Sequence, residues 1–253
     1  MKIITSIILF MLFTFPLSES LLKDKNEGSV LYHANWIKNK VYNQEFIDGY
    51  PNEYKESLKM DSLLSEARYS VSFQGDKSYG STHFANDPDD YLLNTAITQM
   101  DNDMMHSYNN KTGINTSLLN FAGDLIALTR NHQNAWKIDY SRTKTIDGYK
   151  CYYAKYKGLS SKHNSTSEPI YAWFTPEIPV PYGPAGYGGL PGLILELIEN
   201  NISMIAVHIN LRPLSNDVVM IESAKRMFTV KEYLEKKDDM RKVAKRLIIS
   251  GNK

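Results

Sequence analysis

A mainly β fold is predicted, a β-rich α+β chain whose antiparallel sheet curls into a barrel or half-barrel and carries an amphipathic C-terminal helix. Three observations predict it. Short aromatic runs recur between turn signals, Tyr is over-represented at 17 residues beside nine Phe and three Trp, and a sustained helical stripe comes only near the end of the 253 residues. Flat, stiff aromatic side chains pack well on a pleated surface, which favours strands. Ordinary globular apolar and charged content gives one large domain a core without staples.

The elements follow in order. Met1-Lys2 supplies a positive start, Ile3 to Leu17 is mostly apolar, and Ser18-Glu19-Ser20 puts small residues where a signal peptidase reads. Residues 1–20 therefore read as a secretory signal peptide and 21–253 as the exported domain. A membrane-crossing helix needs about 20 apolar residues, so no span is expected after cleavage. The only cysteine, Cys151, is far from the cleavage point, which excludes an internal disulfide and the usual lipid on a new N-terminal Cys.

Strand-like runs are expected at Ser29–Ile37, Glu66–Phe73, Ser78–Phe84, Ser117–Phe121, Asp124–Thr129, Trp136–Thr143, Cys151–Tyr156, Ile170–Thr175, Leu193–Ile198, Met204–Leu211 and Val218–Ala224. Asp147-Gly148 is a tight hairpin signal, and Gly75-Asp76, Asn110 to Gly113 and Asn200-Asn201 read the same way. Turn-linked strands point to an antiparallel sheet. A first helix is expected after Asp87-Pro88, with Leu92, Leu93, Ala96, Ile97 and Met100 on one stripe. A second spans 229–247, where Val230, Tyr233, Leu234, Met240, Val243, Ala244 and Leu247 keep helical spacing.

Charge limits the partners. With 29 Lys and Arg against 28 Asp and Glu, the chain lacks the excess that neutralises phosphates, so no nucleic acid is expected. Ten bases and four acids from Ala224 to Lys253 give that end a net +6, which reads as a solvated helix face.

From Pro176 to Gly192, five Pro and five Gly fall within seventeen residues. Proline fixes φ and removes donors while glycine opens positive φ, so the stretch is a chain of forced turns held between two strands. Gly189-Leu190-Pro191-Gly192-Leu193-Ile194 is the hexapeptide for which the GLPGLI family of exported bacterial envelope proteins is named. Trp173-Phe174-Thr175-Pro176-Glu177-Ile178-Pro179 with Gly183-Pro184 resembles the block before it, and Trp136-Lys137-Ile138, Lys144, Ile146, Gly148-Tyr149, Cys151 and Ala154 also resemble the family pattern. The resemblance implies an envelope protein without an established activity, associated with outer-membrane TonB-dependent transport, and supplies no catalytic residues. At fold level the strands look like the curled sheet of periplasmic lipoprotein carriers.

No hydrolase, zinc-protease, phosphate-loop or dinucleotide motif occurs, so the expectation is a non-enzyme without cofactor. Cys151 reads as a buried thiol, and neither it nor Glu177 has an identifiable base or acid partner. Two functions remain. A binding module would hold an apolar ligand or lipid in the curled sheet, with Trp173, Phe174, Tyr182, Tyr187, Leu190 and Leu193 as contacts. A docking protein would instead present the rigid loop to an outer-membrane transport protein. Met100, Met104, Met105 and His106 form a soft-ligand set that could hold Cu(I), although thioethers more often fill a core.

Overall fold

A computed structural model describes residues 26–37, 44–83, 105–121, 124–158, 169–199, 201–214, 216, 218, 221 and 226–251. The expected signal peptide and the helix expected after Asp87 lie outside them. Among the described residues twelve strands form one open sheet: β1 (Glu27–Trp36), β2 (Arg68–Gln74), β3 (Lys77–His83), β4 (His106–Asn109), β5 (Ile114–Phe121), β6 (Asp124–Asn131), β7 (Trp136–Ile146), β8 (Tyr149–Tyr156), β9 (Tyr171–Thr175), β10 (Leu193–Glu199), β11 (Ile202–Asn210) and β12 (Met227–Thr229). Their spatial order is β12-β6-β5-β4-β3-β2-β1-β11-β10-β9-β8-β7. Neighbours pair antiparallel except β12 with β6.

Period-2 burial sets the inner face. In β1, Val30, Tyr32 and Ala34 are buried between half-buried neighbours, and Tyr69, Val71 and Phe73 repeat this in β2. The sheet curls until side chains near its two ends meet: the rings of His132, just after β6, and Tyr156 of β8 are 5.6 Å apart. The Asp147-Gly148 hairpin has φ of +48° and +80°, the two left-handed residues of a type I′ turn, and pairs Ile146 with Tyr149.

Two helices at residues 44–66 were not anticipated, α1 (Gln44–Gly49) and α2 (Pro51–Glu66). Helix α2 starts with Pro51 at its first turn and buries only Leu63 and Leu64, so it carries no helical stripe for a pattern search to find. Leu64 joins the main core where α2 lies against β1, and His33 Nε2 bonds the Ser65 carbonyl at 2.5 Å. The C-terminal helix α3 runs Val230–Gly251, longer than expected. Thr229 and Glu232 cap it reciprocally: the Thr229 amide donates to Glu232 Oε2 at 2.7 Å and the Glu232 amide to Thr229 Oγ1 at 3.3 Å. Val230 and Tyr233 then pack on Leu119, Ile126 and Leu128 as a separate small core.

Of the strand expected at Val218–Ala224, only Val218 and Ile221 are described and neither lies in a strand; the remainder lies outside the described residues. The short β4 and β12 were missed, since three or four residues leave no alternation to read. No helix among the described residues is long and apolar enough to cross a membrane.

Backbone conformation fixes where the Pro/Gly loop re-enters the sheet. Gly192 has φ +157°, and an added Cβ would sit 2.1 Å from the Thr175 carbonyl oxygen. Gly148, also left-handed, has open space around it. Gly192→Ala is expected to cost more than about 3 kcal/mol and Gly148→Ala about 1 kcal/mol in urea denaturation. Equal costs would show that the loop is not held against β9.

Candidate functional site

The Pro/Gly stretch divides into two sides. Ile178, Val180, Tyr182 to Gly188, Leu190 and Gly192 are buried, while Pro176, Glu177, Pro179, Gly189 and Pro191 are exposed. Local chemistry makes this division. Tyr and Leu gain most by burial, while proline, with no amide to satisfy, is accommodated on either side: Pro184 is buried, and Pro176, Pro179 and Pro191 face water.

The buried side fills the hollow of the curled sheet. Tyr182 Oη donates to the Gly75 carbonyl at the β2–β3 turn (2.6 Å), and its ring lies 5.5 Å from Phe73 and 6.0 Å from Tyr108. Tyr187 reaches the opposite part of the sheet: its ring is 5.3 Å from Tyr156 and its hydroxyl donates to Glu199 Oε1 at 2.9 Å. Trp136 Nε1 donates to the Gly188 carbonyl (2.8 Å), and Tyr32 Oη donates to that of Ile194 (2.7 Å). A 3-10 turn at Pro184–Gly186, with Ala185 at φ +51°, tips the chain inward. The left-handed Ala costs about 1–2 kcal/mol, which the packing of Tyr182 and Tyr187 offsets.

The anticipated contact residues therefore separate. Phe174, Tyr182, Tyr187, Leu190, Leu193 and Ile194 are each at most 1% exposed and belong to the core, and Gly183 and Pro184 are buried with them. Trp173 alone of the four candidate aromatic contacts is half-buried. Outside the plug, Pro179, Pro181, Gly189, Leu190, Pro191 and Gly192 line a groove of about 470 Å³ with Asn110 at its rim.

Trp173 belongs to the sheet's outer face. Its row across four strands is Asp139, Tyr153, Trp173 and Glu196. Tyr153 lies 5.4 Å from Trp173 and 5.8 Å from Tyr171, ring to ring. The Arg142 guanidinium sits 3.6 Å above the Tyr153 ring, and Lys144 Nζ lies 4.7 Å from that of Trp173. Glu196 accepts from Lys144 Nζ and from Ser203 Oγ at 2.7 Å. Asp139 accepts from Ser141 Oγ at 2.6 Å, and these bonds hold its carboxyl below the usual range. Alternation could have placed Tyr153, Tyr171 and Trp173 together. Arg142 joins them because β7 shifts register between Asp139 and Thr143, and no sequence pattern announced that bulge.

Of the soft-ligand set, Met100 and Met104 lie outside the described residues. Met105 is exposed, whereas His106 is buried with Nδ1 2.6 Å from Ser117 Oγ. Among the described residues no group of three or more His, Cys, Asp or Glu could hold a metal. Cys151 is buried, and burial pushes its thiol up to about 11.

A family model described as a protein of unknown function (Porph_ging) matches residues 157–196, which include the whole Pro/Gly loop. No curated protein matches the chain. Two structures of PNGF-II, in different space groups, align with TM-scores of 0.45 and 0.46 at 15% and 14% identity. They cover 81% and 83% of this chain but 31% and 32% of their own, so the chain spans about a third of their length.

The hollow also holds His132, missed because Asn131-His132-Gln133-Asn134 reads as a surface loop. It is fully buried among the rings of Tyr108, Tyr156 and Tyr187, at 5.8, 5.6 and 5.5 Å. Burial, and then the neighbouring Arg130 charge, holds its pKa well below the ordinary value of 6.5. Below that pH the unfolded chain takes up a proton that the folded chain refuses, so stability falls as pH falls; above it the contribution is complete. Between pH 6.5 and 5.5 the native protein is expected to lose about 1 kcal/mol more stability than His132→Phe in parallel denaturation curves. Identical losses would show that His132 does not stay neutral.

Proposed function

We propose that this chain is an exported envelope protein of the GLPGLI type that works by docking, presenting the proline edge of its plug loop to an outer-membrane transport protein. The observation that carries the reading is the loop's division, with aromatic residues filling the hollow and prolines lining the surface groove. Prolines that cannot rotate at φ, anchored by buried tyrosines, lose little freedom when a partner binds. The GLPGLI hexapeptide and the family match at 157–196 support the family reading. The Met1–Ser20 pattern supports export.

A carrier of apolar ligand or lipid has less support, because Tyr182, Tyr187 and Leu190 occupy the hollow it would need. A non-catalytic role is supported by the two reactive candidates. With its pKa raised, Cys151 is a thiol at neutral pH and not the thiolate that attacks. Glu177 Oε1 accepts the Lys150 amide at 3.0 Å, as a structural carboxylate does.

Photocrosslinking from positions 179 and 191 in the native envelope is expected to capture an outer-membrane transport protein. Pro191→Ser should weaken capture about tenfold, the equivalent of roughly 1.4 kcal/mol, without unfolding the chain. Native mass spectrometry should show the bare polypeptide; a retained lipid-sized adduct, with no crosslink, would restore the carrier reading.

A further inference from the structure

We propose that the outer face of β7–β9 is a binding site for an acidic polysaccharide, with Trp173 and Tyr171 receiving sugar rings and Arg142, held over the Tyr153 ring, joining Lys137 and Lys155 in holding their carboxylates or phosphates. Charge complementarity carries the assignment. The acids near this face are already engaged, Asp139 by Ser141, Glu196 by Lys144 and Ser203, and Glu177 by the Lys150 amide. The bases are less fully balanced: the Arg142 charge and amide add to the bonds that lower Asp139, but without a direct ion pair. Among the described residues no carboxylate lies within ion-pair distance of Arg142, Lys137 or Lys155, and all three are exposed. Lys137 and Lys155 stand directly opposite each other across β7 and β8. Like charges so placed are destabilising, and an anion between them would relieve the repulsion.

The aromatic residues supply the second half of the site. Tyr171 follows Lys155 in the same cross-strand row, and Trp173 follows Tyr153 in the next. Neighbouring strands are about 4.8 Å apart, so the rings and bases span a strip roughly 10–15 Å wide, room for several sugar units in a chain. The electron-rich faces of half-buried rings attract the broad C–H face of a pyranose, a stacking surface that an acidic peptide does not offer. Stacked on Tyr153, Arg142 has its planar fork held ready, so less freedom is lost when it grips a carboxylate or phosphate. A peptide is also denied the backbone ladder. The edge strand β7 shifts register between Asp139 and Thr143, which interrupts the row of groups that strand addition needs.

The full chain without its signal segment should be titrated by calorimetry with polygalacturonate, neutral dextran and poly-glutamate. Polygalacturonate is expected to bind at least tenfold tighter than either control, and several-fold more weakly when ionic strength rises from about 0.05 to 0.2 M. Arg142→Gln, at an exposed position, should reduce polygalacturonate affinity about tenfold with an unchanged melting curve. Trp173→Ala should do the same; should it melt early, the Arg142→Gln and Lys155→Gln results decide. Equal binding of poly-glutamate would assign the face to an acidic protein instead, and equal binding of dextran would remove the ionic part. No binding of polygalacturonate, or binding indifferent to Arg142→Gln, overturns the proposal.

Discussion

A sheet of twelve strands that curls until its ends approach encloses a space, and that space must be filled. Here the chain fills it with its own Pro/Gly loop. Tyr182 bonds to the β2–β3 turn and Tyr187 to Glu199 of β10, while Trp136 of the far edge strand bonds to the loop's Gly188 carbonyl. The curvature of the sheet and the shape of the loop therefore determine each other. Turns rich in proline and glycine suit this task, because a plug has no partner strand for its backbone and cannot spend amide groups on a ladder.

Magnitudes decide what the filled hollow means for ligand binding. Each fully buried large side chain is worth about 1.5–3 kcal/mol, so withdrawing Tyr182, Tyr187, Leu190 and Ile178 would cost on the order of 10 kcal/mol. A typical domain is stable by about 5–15 kcal/mol in total. Opening the hollow is thus comparable to unfolding, and a ligand entering it would have to replace nearly all of that burial. The exposed surfaces carry no such cost. Contact at the groove beside Pro179 and Pro191 or at the outer face around Trp173 would leave the core undisturbed.

Much of this architecture was legible in the sequence, and the failures have physical causes. Strands with strict alternation, such as Val30-Leu31-Tyr32-His33-Ala34, and the Asp147-Gly148 turn could be read because one face is buried and one turn type is required. Helix α2 could not, since two adjacent leucines are no stripe. The loop stood out by composition, yet composition alone did not say which side faces inward. The binding-module expectation made Tyr182 and Tyr187 contacts for a ligand, whereas their rings pack in the core on Phe73 and Tyr156. His132 was invisible for the opposite reason: its neighbours Asn131, Gln133 and Asn134 are polar and exposed or looped, and only the long-range approach of β8 and the plug buries it.

The edges of the sheet connect its stability to its surface chemistry. An open sheet has two edges, and an unpaired edge recruits other chains unless something prevents it. One edge, β12, is only three residues long and runs straight into the capped helix α3. The other, β7, is eleven residues long and would be the more exposed, but its register breaks between Asp139 and Thr143. Asp139 holds the break by accepting from the Ser141 amide and hydroxyl. The same break lifts Arg142 out of the ladder and sets it over Tyr153. A single local irregularity thus disrupts the edge against strand addition and turns a cation onto the outer face. That coupling explains why the β7–β8 hairpin, tightly specified at its Asp147-Gly148 turn, tolerates lost pairing halfway along its length.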